Sequence, residues 1–231
     1  MIKIKNVSRY YYQGKKKEIV IKALENINLE IHKGEFTALV GPSGSGKTTL
    51  LNLIGALDLP TQGSIWIDDK DITKLKESER AKFRLYSIGF VFQSYNLIST
   101  LTALENIEYV LMLRKIPASI RKEKALSILK EIGLEGLANR FPIDMSGGQQ
   151  QRVAVGRALV GEPKIILADE PTANLDGKTA SQLLDLMEDM CNKKQITFLF
   201  STHDPRVMQR AKRIITLEDG KIKNDQNQGF D

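Results

Sequence analysis

The chain has 231 residues, a net charge of +6, and 42% hydrophobic and 27% charged residues. These proportions are typical of folded globular chains and exclude an intrinsically disordered one. The longest apolar runs, such as ITFLF at 196–200, are far shorter than the ~20 residues that a bilayer-spanning helix needs. The basic N-terminus lacks the apolar block of a secretory signal, and the single Cys191 cannot form an internal disulfide, so we expect a reducing cytosol.

The excess of positive charge is compatible with nucleic acid, an anionic membrane surface or a phosphate-rich ligand. Its densest cluster, Lys15–Lys17, lies between two predicted strands and has no aromatic platform beside it except Tyr10–Tyr12. This pattern favours a solvated hairpin tip over a nucleic-acid patch. We therefore expect no nucleic-acid partner.

The first predicted elements are strands. Residues 2–7 and 20–31 alternate apolar and polar side chains and predict an antiparallel pair joined by a hairpin. A short apolar strand, EFTALVG, leads into a glycine-rich loop and an apolar helix, TTLLNLIGAL. GSIWIDDKDI predicts a second strand pair with its turn at Asp68–Lys70, and SIGFVFQ predicts a buried strand that ends at Gln93.

From about residue 102 the pattern becomes helical. TALENIEYVLML, SIRKEKALSILKEIG and the stretch at 145–159 predict three helices. Strands return at 164–169 and 195–202, and a helical segment separates them. A last strand pair, RIITLEDGKI, precedes a polar tail, KNDQNQGFD, whose composition predicts disorder.

The glycine-rich loop matches the phosphate-binding pattern GxxxxGKT in full and lies between a strand and a helix. Its residues are Gly41, Pro42, Ser43, Gly44, Ser45, Gly46, Lys47 and Thr48, and Thr49 follows. Glycines allow successive backbone N–H groups to turn toward phosphates, and the helix N-terminus adds its dipole. We expect Lys47 to reach the β- and γ-phosphates and Thr48 to ligate Mg²⁺.

Two adjacent carboxylates, Asp169 and Glu170, follow the apolar segment KIILA. The carboxyl ends of parallel strands face the ligand crevice, so both side chains are expected near the phosphates. Hydrolysis needs one carboxylate in the magnesium shell and a second that polarises an attacking water. We assign Asp169 to the first role and Glu170 to the second. Without a phosphate loop, two solvated turn acids would be the preferred interpretation.

At this point the chain resembles the ATP-binding cassette family, and the resemblance covers nearly all of it. The family signature S-G-G-Q is present as Ser146, Gly147, Gly148 and Gln149. The resemblance implies a head-to-tail dimer with a second copy of the chain, in which the signature of one subunit closes over ATP on the phosphate loop of the other. A serine N-cap and two glycines expose backbone N–H groups at a positive helix end, which is compatible with that role.

The resemblance assigns four further residues. Gln93 matches the glutamine that contacts Mg²⁺ and the water, and His203 matches the switch histidine that contacts the γ-phosphate. Asp176 matches the residue that reaches across the dimer, although the sequence also allows a simple helix N-cap. Tyr11 aligns best with the aromatic residue that stacks on adenine, and its neighbours Tyr10 and Tyr12 remain alternatives.

The resemblance implies an α/β fold with a P-loop NTPase core, a mostly parallel sheet, an N-terminal antiparallel β subdomain and an inserted α-helical subdomain. We place the core at about 1–96 and 161–223, the helical subdomain at about 97–160 and a polar tail at 224–231. The activity it implies is hydrolysis of ATP with Mg²⁺.

The segments VFQSYNLISTLTALENI and MSGGQQQRVAVGRALVGEPKIILADEPTANLD look most like the lipoprotein-releasing and macrolide-export branch. That likeness implies an integral membrane permease as partner, docked near Gln93 and the helical insert. It also implies a cytoplasmic chain held peripherally at the inner face of the membrane. A cassette ATPase that acts in assembly or regulation without transport is the alternative. The transported substrate does not follow from the sequence.

Overall fold

The computed structural model describes residues 1–13 and 19–228, so the basic cluster Lys15–Lys17 lies outside the described residues. The chain divides into two compact units, one formed by residues 1–84 and 199–231 and the other by residues 85–198. The predicted division into a core and a helical subdomain at 97–160 uses different boundaries and stays a prediction.

The elements follow in chain order. They are β1 (Ile2–Gln13), β2 (Ile19–Ile31), β3 (Phe36–Val40), α1 (Lys47–Ile54), β4 (Gln62–Ile67), β5 (Lys70–Asp71), α2 (Glu77–Ser87), β6 (Ile88–Phe92), α3 (Ala103–Leu113), α4 (Ala118–Glu131), α5 (Gly147–Leu159), β7 (Ile165–Asp169), α6 (Gly177–Lys194), β8 (Thr197–Ser201), α7 (Pro205–Arg210), β9 (Arg213–Glu218) and β10 (Lys221–Asn227). The sequence interpretation missed α2 and α7, because α2 is strongly polar and α7 has only six residues.

The first unit contains the predicted antiparallel sheet, in the strand order β2-β1-β4-β5. Ile2 lies opposite Ile31 on one side and Ile67 on the other. The register of the β1–β2 pair shifts between Arg9, opposite Leu24, and Tyr10, opposite Lys22. This shift leaves one extra residue on β2 and forms a bulge there.

The first unit also contains a parallel pair, β3 with β9, and an antiparallel pair, β9 with β10. All five residues of β3 are buried, and the rings of Phe36 and Phe200 lie 4.5 Å apart. Strands buried on both faces are apolar throughout, so the short apolar runs of the sequence correctly predict them.

The disordered tail predicted from Lys223 is wrong over most of its length, because β10 continues to Asn227. Arg213 on β9 explains the difference. Its guanidinium donates to both carboxylate oxygens of Asp225, at 2.8 and 2.7 Å, and to Glu35 at 3.1 Å. These partners, Asp225 first, raise the pKa of Arg213, and the pairing orders a strand whose composition alone favours disorder.

The second unit combines the parallel pair β6 and β7 with helices. α3 contacts both α4 and α5, and α5 packs close to α4 at Gly156, where a Cβ would lie 3.0 Å from Ile128 Cγ2 and Ile132 Cδ1. A capping box of Thr102 and Glu105 starts α3. In the described part of the chain, no helix has the length and apolar character needed to cross a bilayer.

Candidate functional site

The phosphate loop leaves β3 at Gly41 and enters α1 at Lys47. Gly41 and Gly46 have φ values of 150° and 103°. A Cβ at Gly41 would lie 2.1 Å from the carbonyl oxygen of Leu217, and one at Gly46 would lie 2.6 Å from that of Ala23. Only glycine fits at these two positions, so the loop curve depends on them.

The side chain of Lys47 lies across this curve. Its Nζ donates to the carbonyl oxygens of Gly41 at 2.8 Å and Pro42 at 3.0 Å. Gly46 gives α1 no side-chain cap, and the first turn of α1 contains no acidic residue. The first backbone N–H groups of the helix and the Lys47 ammonium therefore suit an anion such as a polyphosphate.

The remaining loop residues differ in exposure. Pro42, Ser43, Gly44 and Thr48 are exposed, Thr49 is half-buried, and Ser45 is 3% exposed. Among the described residues, the Ser45 hydroxyl oxygen has no hydrogen-bond partner, while the Ser45 N–H donates to Pro42 at 3.2 Å. The hydroxyl of Thr48 is of the ligand type that Mg²⁺ accepts.

His203 lies in the same unit as the phosphate loop. The N–H of Thr202, just after β8, donates to the carbonyl of Leu39 in β3 at 3.0 Å. The end of β8 therefore runs beside the end of β3, and His203 leaves at the sheet edge from which the loop also leaves. His203 is exposed, and the following Asp204 caps α7.

Tyr11 lies on β1 near the bulge of β2. The bulge contacts the phosphate loop, since a Cβ on Gly46 would meet both the Ala23 carbonyl and the Leu24 side chain. The Tyr11 hydroxyl donates to Asp58 at 3.1 Å. Tyr11 and the loop therefore belong to one connected piece of the first unit.

In the second unit the strand register brings the predicted carboxylates beside Gln93. Phe92 at the end of β6 pairs with Asp169 at the end of β7. Gln93 and Glu170 therefore leave adjacent parallel strands at the same edge. Glu170 has a φ of 47°, a left-handed conformation that is uncommon outside glycine and that clusters at functional sites.

The signature begins α5 as the sequence predicts. Ser146 is the N-cap, and a capping box joins its side chain and that of Gln149 to each other's backbone N–H. A Cβ on Gly147 would lie 2.7 Å from the Tyr95 hydroxyl, and one on Gly148 would lie 2.2 Å from Thr179 Cγ2. The start of α5 is therefore closely packed at both glycines, and a side chain at Gly148 would clash with Thr179.

Asp176 is the N-cap of α6, the simpler of the two roles that the sequence allows. Its Oδ1 accepts hydrogen bonds from the N–H groups of Lys178 and Thr179, both at 3.0 Å. Hydrogen bonds from the Thr179 side chain and backbone lower the pKa of Asp176. A role across a dimer stays a prediction.

The sequence interpretation missed two residues, Gln151 and Asn174, that donate hydrogen bonds to the backbone where β6 and β7 end. Gln151 is fully buried and donates to the carbonyls of Pro171 at 2.8 Å and Phe92 at 3.3 Å. Asn174 donates to the carbonyl of Gln93 at 3.0 Å. Helical spacing could have found Gln151, because it shares the buried face of α5 with apolar residues three, four and seven positions later.

The predicted site residues therefore form two groups. Tyr11, the phosphate loop and His203 belong to the first unit, whereas Gln93, Asp169, Glu170, the signature and Asp176 belong to the second.

Comparisons with known proteins agree on one family. A family model described as ABC transporter matches residues 24–173. The chain is 46% identical over 236 residues to the ABC transporter ATP-binding protein MJ0796 of Methanocaldococcus jannaschii, covering 100% of this chain and 99% of that protein. A dimeric structure of MJ0796 in a post-hydrolysis state with ADP and Pi covers 100% of both chains, with 45% identity and a TM-score of 0.90.

A relative with a broader name supports the predicted branch. The chain is 44% identical to the macrolide export ATP-binding/permease protein MacB of Hyphomonas neptunium, over 97% of this chain but 34% of MacB. The predicted α/β fold with a mostly parallel sheet, an antiparallel sheet and helices is confirmed by the MJ0796 structure. The chain therefore belongs to the ABC transporter family, in which it is an ATP-binding subunit with ATPase activity.

Proposed function

We propose that two copies of this chain bind two ATP molecules head to tail and, through hydrolysis, drive a separate membrane permease. The observation that carries the proposal is the second glycine-bearing helix start, Ser146–Gln149, in a chain whose phosphate loop is already complete. An ATP site formed by one copy alone needs only one such glycine-bearing helix start. The dimeric structure of the relative MJ0796 with ADP and Pi supports a dimer of this kind of chain.

Each site residue takes the role that the family resemblance implies. Lys47 and the loop amides bind the phosphates, Tyr11 stacks on the adenine, and His203 contacts the γ-phosphate. Glu170 polarises the attacking water, and its left-handed backbone conformation sets the direction in which its side chain leaves the strand end.

Thr48, Asp169 and Gln93 carry hydroxyl, carboxylate and amide oxygens, the hard ligands that Mg²⁺ prefers. We propose these three residues as its protein ligands, with phosphate oxygens completing the shell. Magnesium bound there would neutralise charge on the phosphates.

The signature and Asp176 act on the neighbouring copy in this proposal. The Ser146 side chain caps its own helix, so its hydroxyl and the N–H groups of Gly147 and Gly148 lie together at a positive helix end. This is a suitable site for the γ-phosphate of ATP that the partner copy holds.

The membrane partner is proposed to dock on the helical part of the second unit, near Gln93. Large apolar side chains are exposed there, and Ile143 is 89% exposed. The others are Met112, Leu113, Ile120, Leu126 and Phe141. If these side chains form one contiguous apolar patch, that patch would suit a protein interface. The likeness to MacB favours an efflux or lipoprotein-release permease and a peripheral position at the cytoplasmic face of the membrane.

The first test is Glu170→Gln, which keeps the side-chain shape and removes the base. We expect hydrolysis to be nearly abolished while ATP binding remains, and the variant should elute as a dimer with ATP in size-exclusion chromatography. Glu123→Gln, an exposed change on α4, is the control and should behave as the parent. Near-normal turnover of Glu170→Gln would remove Glu170 from this role.

A second test addresses the exchange of signatures between copies. Ser146→Arg and Lys47→Ala should each be inactive alone, and mixing them should restore one composite site and part of the activity. No restoration would contradict head-to-tail pairing. Copurification of the chain with a permease from detergent extracts would distinguish transport from a purely regulatory ATPase.

A further inference from the structure

Two side chains in the first unit, Arg9 and Asp58, contact Tyr11 and each other in a closed set of contacts. The guanidinium carbon of Arg9 lies 4.5 Å from the ring centroid. Arg9 Nη2 donates to Asp58 Oδ1 at 2.9 Å, and the Tyr11 hydroxyl donates to Asp58 Oδ2 at 3.1 Å. Asp58 is fixed in turn, because its Oδ1 also accepts the N–H of Leu59 at 2.8 Å.

The backbone around this set is tied down as well. Arg9 and Tyr11 are two residues apart on β1 and therefore lie on one side of the strand. The N–H of Tyr10 donates to Thr61 Oγ1 at 3.0 Å, and the N–H of Thr61 donates to Ser8 at 2.8 Å. The segment from Asp58 to Thr61 follows α1, the helix that starts at the phosphate loop.

The three neighbouring tyrosines differ in their exposure and in their distance from a cation. Tyr12 is 51% exposed, and Lys22 lies 6.0 Å from the ring of Tyr10, farther than Arg9 lies from Tyr11. Tyr11 is 36% exposed. A cation covers one face of its ring and the hydroxyl is hydrogen-bonded, so a planar base would have to stack on the face opposite the cation.

We infer that Arg9 and Asp58 are positioning residues that hold the Tyr11 ring as a preformed platform for the nucleotide base. This inference rests on the adenine role proposed above for Tyr11. A ring fixed by a cation on one face and a carboxylate at its hydroxyl loses little freedom when a base stacks on it. The side-chain entropy that base binding would otherwise lose has then already been lost during folding.

The test compares a ligand that has a base with one that has none. ADP and inorganic pyrophosphate are titrated separately by calorimetry, because neither is hydrolysed at the site. Tyr11→Ala should weaken ADP binding by about 5- to 150-fold, the range for loss of one base–aromatic stack. Arg9→Ala and Tyr11→Phe should each weaken it by about 2- to 12-fold, the range for one side chain no longer ordered in advance. Pyrophosphate binding should stay unchanged in all three variants.

Lys22→Ala is the matched control, since it removes the cation above a different tyrosine, and it should bind ADP as the parent does. If Tyr11→Ala weakens ADP binding but Arg9→Ala does not, the positioning role is overturned while the base site stands. If Arg9→Ala weakens ADP and pyrophosphate equally, Arg9 acts on the phosphates or the fold, and the inference is overturned. Parent-like ADP binding by Tyr11→Ala would instead remove the adenine role of Tyr11.

Discussion

Gly148→Ala separates the packing requirement of the signature from its helix propensity. In the interior of an exposed helix, alanine is favoured over glycine by about 1 kcal/mol. At Gly148 the added Cβ would lie 2.2 Å from Thr179 Cγ2, well inside contact distance. Overpacking of this kind costs about 1–3 kcal/mol, so we expect a net loss of up to about 2 kcal/mol in the free energy of unfolding.

Thr179 cannot simply rotate away from the clash. Its side chain is hydrogen-bonded to Asp176, and another rotamer would break that bond. Thr179→Ser keeps the hydroxyl and removes the clashing methyl group. The double variant Gly148→Ala/Thr179→Ser should therefore recover the stability that Gly148→Ala loses.

The assay is urea unfolding of the two single variants, the double variant and the parent. Gly136→Ala is the control, because nothing lies within 4 Å of a Cβ placed at Gly136. A Gly148→Ala midpoint above that of the parent, as helix propensity alone predicts, or an equal loss in the single and double variants, would refute the steric explanation.

Three more predictions follow from contacts in the structure. Gln151→Leu removes the donor to the Pro171 carbonyl, while the Phe92 carbonyl still accepts the Tyr95 N–H, and it should lower the free energy of unfolding by about 1–3 kcal/mol, whereas Gln150→Leu, a half-buried neighbour, should cost less in the same urea titration. Arg213→Ala should speed amide hydrogen exchange in β10 and leave exchange in β6 unchanged. An unchanged rate in β10, or the same increase in both strands, would contradict the role of the ion pair. The pKa of Asp176 is lowered from 3.8, so its carboxylate stabilises the folded chain above that value and the contribution is lost as pH falls through the lowered pKa. Asp176→Asn should therefore flatten the acid limb of the stability profile, and an unchanged limb would contradict the assignment.

The sequence by itself determined the chemistry and much of the local structure. The spacing of the phosphate loop, the capping residues Ser146 and Asp176, and the apolar runs of the buried strands are local signals, since they depend on neighbours within a few residues. Each of these features has the predicted secondary structure. The resemblance carried by the signature also predicted the family correctly.

Only the tertiary structure decided the features that depend on residues far apart in the chain. Gln151 is a polar side chain on an apolar helix face, and its partners are the last residue of β6 and Pro171 just after β7, which no local pattern connects to it. β10 pairs with β9 and is held there by the ion pair between Arg213 and Asp225, although its own composition favours disorder. Our proposal of Tyr11 among three adjacent tyrosines likewise rests on its contact with Asp58, which lies 47 positions along the chain. In each case the deciding contact is long-range, and its free energy appears only when folding has brought the partners together.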